Sequence, residues 1–179
     1  DWSSDVCSSD LKEVLRLPKM GALLDPNTEQ ILAARPGLVI SYGSQADLHT
    51  QLKRAGIQVL SYRHAGLAGI YASIEEVGQA SGHPVEASRL VADLRGRLDA
   101  VRRRTAPLRK PRTLLVMGRE PLTLRNLNAS GGVGFLHDIL EIAGGANVFG
   151  DVPRQAVTVS SEMLLARAPE AILDLHYGA

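Results

Sequence analysis

The sequence predicts an α/β fold of two parallel-sheet lobes joined by one long, rigid α-helix, with both lobes incomplete. Three observations lead there. Helix-like and strand-like segments alternate along most of the 179 residues, one long amphipathic stretch interrupts the alternation, and a helix–proline–strand unit is written twice. Alternation of this kind argues a parallel sheet covered by helices.

Taken in order, Thr28–Arg35 reads as a helix, and Leu38–Tyr42 as a buried strand after the Pro36-Gly37 break. Ala46–Ala55 is a helix ended by Gly56, Ile57–Tyr62 a second strand, and Ile74–Ser81 a helix closed by Gly82. From Pro84 to Thr105, Ala87, Leu90, Val91, Leu94, Leu98 and Val101 recur at three- and four-residue spacing, the mark of one amphipathic helix. At 1.5 Å per residue a helix of ~20 residues reaches ~30 Å, long enough to act as a spacer between lobes. Beyond the basic link Pro107 to Pro111 come a strand at Arg112–Gly118, a glycine-rich turn at Gly131–Gly134, a helix at Phe135–Ala143, a helix at Ser161–Ala168 and a strand at Ala171–Leu175. The implied partition is a leader at 1–10, an N-terminal lobe at 11–82, a backbone helix at 83–106 and a C-terminal lobe at 107–179. Residues 1–10 repeat a polar Ser-Ser-Asp unit unlike the rest of the chain and read as a tag or scar. A strand so close to the C-terminus leads us to expect truncation at that end as well.

Composition narrows the function classes. Twenty Lys+Arg against 19 Asp+Glu leave a net charge of +1, so whole-chain charge predicts no nucleic-acid partner and no acidic membrane surface. The apolar runs Leu38 to Ile40 and Leu114 to Met117 fall far short of the ~18 residues of a spanning helix. A single cysteine, Cys7, supports neither an internal disulfide nor a paired-cysteine zinc site. A lipoprotein-acceptor reading of Cys7 loses because aspartates stand before it where an apolar run is required. The basic stretch Arg102-Arg103-Arg104 with Arg109, Lys110 and Arg112 closes the long helix, where cations complement the dipole, and reads as a solvated face.

The repeat is the most informative feature. Glu29, Ile31, Leu32, Ala33, Pro36, Val39 and Ile40 recur as Glu162, Leu164, Leu165, Ala166, Pro169, Ile172 and Leu173, every pair 133 residues apart, as 162 is from 29 and 169 from 36. Fold class explains the apolar positions but not the acid. In each copy the acid falls two residues after a capping residue, Asn27 or Ser160. A first-turn carboxylate is favoured by the helix dipole by ~0.3–1 kcal/mol, a complete structural explanation. The functional explanation is a pair of solvent-facing anchors for basic residues of a partner, which steer docking more than they add affinity.

Signatures for catalysis are missing: no Walker loop, no Gly-x-Ser-x-Gly elbow, no His-Glu-x-x-His and no dinucleotide fingerprint. Gly131-Gly132-Val133-Gly134 is open to two readings, an anion cradle or a flexible hinge. The five histidines, His49, His64, His83, His137 and His176, show no metal-ligand spacing. Ligands of open α/β sheets bind beyond the carboxyl ends of the strands. That rule selects Tyr42, Arg63, His64, Met117, Arg119, His176 and Tyr177, with Arg125 in the next loop, as the candidate ligand set. Three arginines, two tyrosines and two histidines suit a large anionic, aromatic or metal-bearing ligand.

From about Leu17 to Leu175 the chain resembles the periplasmic substrate-binding proteins of ABC importers for cobalamin, haem and ferric siderophores. The stretches that carry the resemblance are Pro26 to Ile40 (PNTEQILAARPGLVI), Phe135 to Phe149 (FLHDILEIAGGANVF) and Val159 to Pro169 (VSSEMLLARAP), in that order. The resemblance implies a helix-linked pair of lobes, without catalysis and with no cofactor of its own, that holds a metal chelate between them and delivers it to a membrane permease and, through it, a cytoplasmic ATPase. It also implies a monomer, periplasmic or lipid-anchored outside the cytoplasm. In that family the acid of each repeated helix pairs with permease arginines, and those acids fall on Glu29 and Glu162 here. Gly131 to His137 and Asn147 to Pro153 look most like the cobalamin-type receptors, with haem or a ferric siderophore as the other cargoes. The aromatic residue that lines the cobalamin cleft in some members falls on Leu23, a departure. A reading of a different class is a two-lobe α/β metalloenzyme with a cofactor in the same crevice.

Overall fold

The computed structural model describes residues 16–22, 25–42, 45–62, 66–120, 123 and 125–175. Two compact units divide the chain, Asp1–Tyr62 and Arg63–Ala179. Each has its own sheet.

In the first unit, α1 (Thr28–Ala34), β1 (Leu38–Tyr42), α2 (Ala46–Arg54) and β2 (Gln58–Tyr62) succeed one another as the alternation predicts. The strands pair in parallel and in register, from Leu38 opposite Gln58 to Tyr42 opposite Tyr62. Ile31 of α1 and Leu48 and Leu52 of α2 form the buried core, with Met20, Val39 and Val59 packed against it. Leu48 and Leu52 lie four apart, so one stripe of α2 faces the sheet. Buried Ser41 is hydrogen-bonded to His49, which accounts for that histidine structurally.

The second unit begins with a helical pair, α3 (Leu67–Ser81) and α4 (Pro84–Thr105). Helix α3 starts at Leu67 instead of Ile74 because its first backbone N–H, that of Leu67, donates to the Asp138 carboxylate at 2.8 Å. The chain reverses at Gly82, whose φ of 82° only glycine adopts without strain, and Pro84 opens α4 with its missing N–H where none is needed. The pair packs closely. A Cβ on buried Gly78 would overlap the Ala87 methyl, and the Arg95 guanidinium stacks 4.7 Å from the centre of the Tyr71 ring. Helix α4 therefore has its bounds where the sequence puts them but is no bare spacer. Ala87 and Val91 are buried, whereas Leu90 and Val101 of the expected stripe face solvent. Residues 67–82, assigned from the sequence to the N-terminal lobe, belong to the same compact unit as α4.

Strand β3 (Arg112–Gly118) is the centre of the second sheet, its Leu114, Leu115 and Val116 forming the continuous apolar run of a strand covered on both faces. It pairs in parallel with β5 (Ala146–Asn147) and β7 (Ala171–Asp174), and antiparallel with β4 (Leu127–Ser130). Strand β4 in turn pairs antiparallel with β6 (Ala156–Val159), so this sheet is mixed instead of purely parallel. Helix α5 (Phe135–Ile142) lies between β4 and β5 in sequence, and α6 (Ser161–Arg167) between β6 and β7. The core joins Leu114, Val116, Leu127, Ala129, Val148, Phe149 and Val159.

Two glycines of the Gly131–Gly134 turn are tied to a neighbouring backbone segment. The N–H groups of Gly131 and Gly132 already donate to the carbonyls of Gln155 (3.0 Å) and Val152 (2.8 Å). A side chain on either would overlap the carbonyl of Arg154 or Gly150. These glycines are there so that two backbone segments can touch.

Candidate functional site

The repeat that carries the two acids is one of backbone geometry as well as letters. Asn27 Oδ1 accepts the Gln30 N–H at 3.0 Å and Ser160 Oγ accepts the Met163 N–H at 3.2 Å, so each helix has a side-chain cap bonded to its third residue. Each helix is 7 residues long. Each ends on a left-handed residue that is not glycine, Arg35 with φ 45° and Ala168 with φ 42°, and each is succeeded by proline and a strand. Glu29 and Glu162 occupy the same second helical position and are exposed. Neither contributes to a core. A hydrogen bond from Ser160, then one from its own backbone N–H, holds the Glu162 carboxyl below the usual carboxylate range, so it stays charged at neutral pH.

Of the candidate ligand set, Met117 and Arg119 stand at the carboxyl end of β3, as predicted. Met117 lines a cleft of about 190 Å³ with Val133, Phe135, Leu136 and Gln155. Arg119 Nε donates to Asp174 Oδ2 at 2.8 Å, an ion pair with both side chains about three-quarters buried, and its Nη1 lies 3.4 Å from the Glu120 and Thr123 carbonyls. Arg125 is exposed in the next loop, its N–H on Thr123 Oγ1 at 3.2 Å and its carbonyl accepting from Glu120 N–H at 3.0 Å. Tyr42 is the last residue of β1, opposite Tyr62. Arg63, His64, His176 and Tyr177 lie outside the described residues, as do Leu23 and Cys7.

A larger cleft of about 580 Å³ runs along β1 in the first unit, lined among others by Met20, Pro36, Val39, Gln45 and Tyr62. Sequence reasoning passed over Tyr62, although the strand-end rule that selected Tyr42 applies equally to its register partner. It also passed over Phe135 and Gln155, which only the folded turn brings to Met117. Among the described residues, neither cleft has a charged side chain in its lining. Among the described residues there is no grouping of three metal-ligating side chains. His137 is held by Asn147, Nδ1 to Nδ2 at 3.2 Å.

Against known families, the model described as "Periplasmic binding protein" matches residues 1–174. This chain belongs to that family. Its members are binding proteins, and the family places the chain outside the cytoplasm. Among curated relatives, the vitamin B12-binding protein of Yersinia pestis (strain Pestoides F) is 28% identical over 149 residues, covering 82% of this chain and 51% of the relative. The chain thus spans about half the length of the curated relatives it matches. Among solved structures, the periplasmic vitamin B12 binding protein of Vibrio cholerae superposes with a TM-score of 0.72 at 22% identity, over 94% of this chain and 65% of that one. The periplasmic haem-binding protein of the same organism gives a TM-score of 0.78 at 20% identity, over 92% and 64%. A Staphylococcus aureus protein complexed with haem gives 0.74 at 24%, over 94% and 64%. These superpositions establish a shared fold.

Proposed function

We propose that this chain is the substrate-binding component of an ABC importer, carrying a metal chelate, a cobalamin-like corrinoid in first place, to a membrane permease coupled to a cytoplasmic ATPase. The single observation that carries the reading is the pair of exposed acids at equivalent positions of two capped helices, Glu29 and Glu162. An acid present in both copies of a repeat yet touching no core has no packing role, and charge anchors of this kind orient a docking partner. The vitamin B12-binding relatives favour a corrinoid as cargo. The described residues that line both clefts are uncharged, which supports the same choice.

In this reading Tyr42, Arg63, His64, Met117, Arg119, Arg125, His176 and Tyr177 contact the ligand, while Glu29 and Glu162 contact the permease. The protein works as a monomer, without catalysis and without a cofactor of its own, either free in the periplasm or lipid-anchored. Haem or a ferric siderophore is the second reading, and its support is the fold shared with haem-binding proteins. Absorbance titration of the natural full-length protein with cyanocobalamin, haemin and a ferric siderophore decides between them. Tight binding of the corrinoid is the expected result. Binding of none of the three overturns the reading.

A further inference from the structure

Among the described residues, the charges at the carboxyl end of the second sheet are equal in number and opposite in sign. Arg119 lies just beyond β3 and Asp174 closes β7, neighbouring parallel strands, and their ion pair at 2.8 Å is largely withdrawn from water. In the adjoining loop stand one more cation, Arg125, and one more anion, Glu120, whose carboxylate is held by Asn126 Nδ2 at 2.6 Å. Two cations thus stand with two anions among the described residues, and one of each forms the ion pair. The neighbouring cleft around Met117 presents apolar side chains and the amide of Gln155. An arginine largely withdrawn from water and already satisfied by a carboxylate offers little to a second carboxylate, which would have to displace the first in a site of reduced screening.

We propose that Asp174 sets the charge preference of the ligand site. By occupying Arg119 it leaves this strand end neutral, so a chelate with an uncharged, carboxamide-bearing rim is preferred over one that presents carboxylates. The inference rests on the chelate-carrier reading above and names the residue that sets its choice of ligand. Asp174 is a positioning residue here, acting through Arg119.

The test uses the natural full-length protein and its Asp174→Asn and Asp174→Glu variants, each titrated with cyanocobalamin, whose rim is carboxamides, and haemin, which carries two propionates. Unpairing Arg119 frees a charge-assisted donor, so in Asp174→Asn the ratio of haemin to cyanocobalamin affinity is expected to rise ~10-fold. Asp174→Glu, which retains the charge, is expected to keep the wild-type ratio. A ratio unmoved by Asp174→Asn overturns the inference while leaving the carrier reading intact. Wild type binding neither compound overturns both. If Asp174→Asn does not fold, the wild type decides by its salt response: haemin binding that is absent or insensitive to ionic strength supports a neutral site, and haemin affinity that falls steeply with salt contradicts it.

Discussion

The α1–β1 and α6–β7 segments share letters, caps and backbone angles, yet they are held in place by different forces. Helix α1 drives Ile31 into a core with Leu48 and Leu52, whereas α6 has no buried residue and rests Leu164, the counterpart of Ile31, half-exposed against its core. In place of burial the second copy uses charge. Arg167 donates to Asp151 through both Nη atoms (2.7 and 2.9 Å), and Arg109 to Glu170 in the same forked manner (2.9 and 2.6 Å). The Arg167 hydrogen bonds hold the Asp151 carboxyl below its ordinary range. Position 37, which corresponds to 170, is glycine in the first copy, so this second anchor belongs to α6–β7 alone. Across these differences the acid is unchanged. A residue that survives when the packing around it is rewritten is kept for something other than packing.

If burial holds the first copy, truncating Ile31 costs more than truncating Leu164. Ile31→Ala is expected to destabilise its unit by ~2–4 kcal/mol and Leu164→Ala by about half that, read from urea unfolding midpoints. Equal losses would mean that the second helix is as core-dependent as the first. Next in size are the caps: Asn27→Ala and Ser160→Ala should each cost ~1 kcal/mol in the same measurement. Ser160→Ala carries a second consequence. Because the folded Glu162 pKa is depressed, its stabilising contribution is present above the unfolded value and is lost as pH falls through the folded one. Removing Ser160 should raise that folded value, detectable by carboxyl-resolved NMR titration of Glu162. Smallest is Glu170→Gln, an exposed pair worth ~0–1 kcal/mol, whose effect should shrink further in high salt.

The same contrast explains what was legible in the sequence. Segments whose structure is set locally were readable: α4 and β3 have the predicted bounds, and α1, α6 and β7 differ from prediction only in a terminal residue. Strands β4 and β6 escape a reading of the sequence because Leu127-Asn128-Ala129-Ser130 and Ala156-Val157-Thr158-Val159 are four-residue runs, the first with Asn and Ser, and β5 is two residues long. Strands β4 and β5 are set by pairing with β3, and β6 by pairing with β4, not by their own composition. The early start of α3 depends on Asp138, 71 residues away, and no local pattern announces such a cap. Of the candidate ligand set, the strand-end rule selects Met117 and Arg119, but the partner that fixes Arg119, Asp174, is 55 residues on and becomes visible only when β7 pairs with β3.

The central claim, that the duplicated acids serve a partner and not the cargo or the core, is tested most directly by uptake. In the natural full-length protein, Glu29→Ala, Glu162→Ala and the double variant should keep wild-type ligand affinity and thermal midpoint, while chelate transport into permease-bearing vesicles falls, most of all in the double variant. Loss of ligand binding in a folded single variant, or transport that survives the loss of both carboxylates, would contradict it.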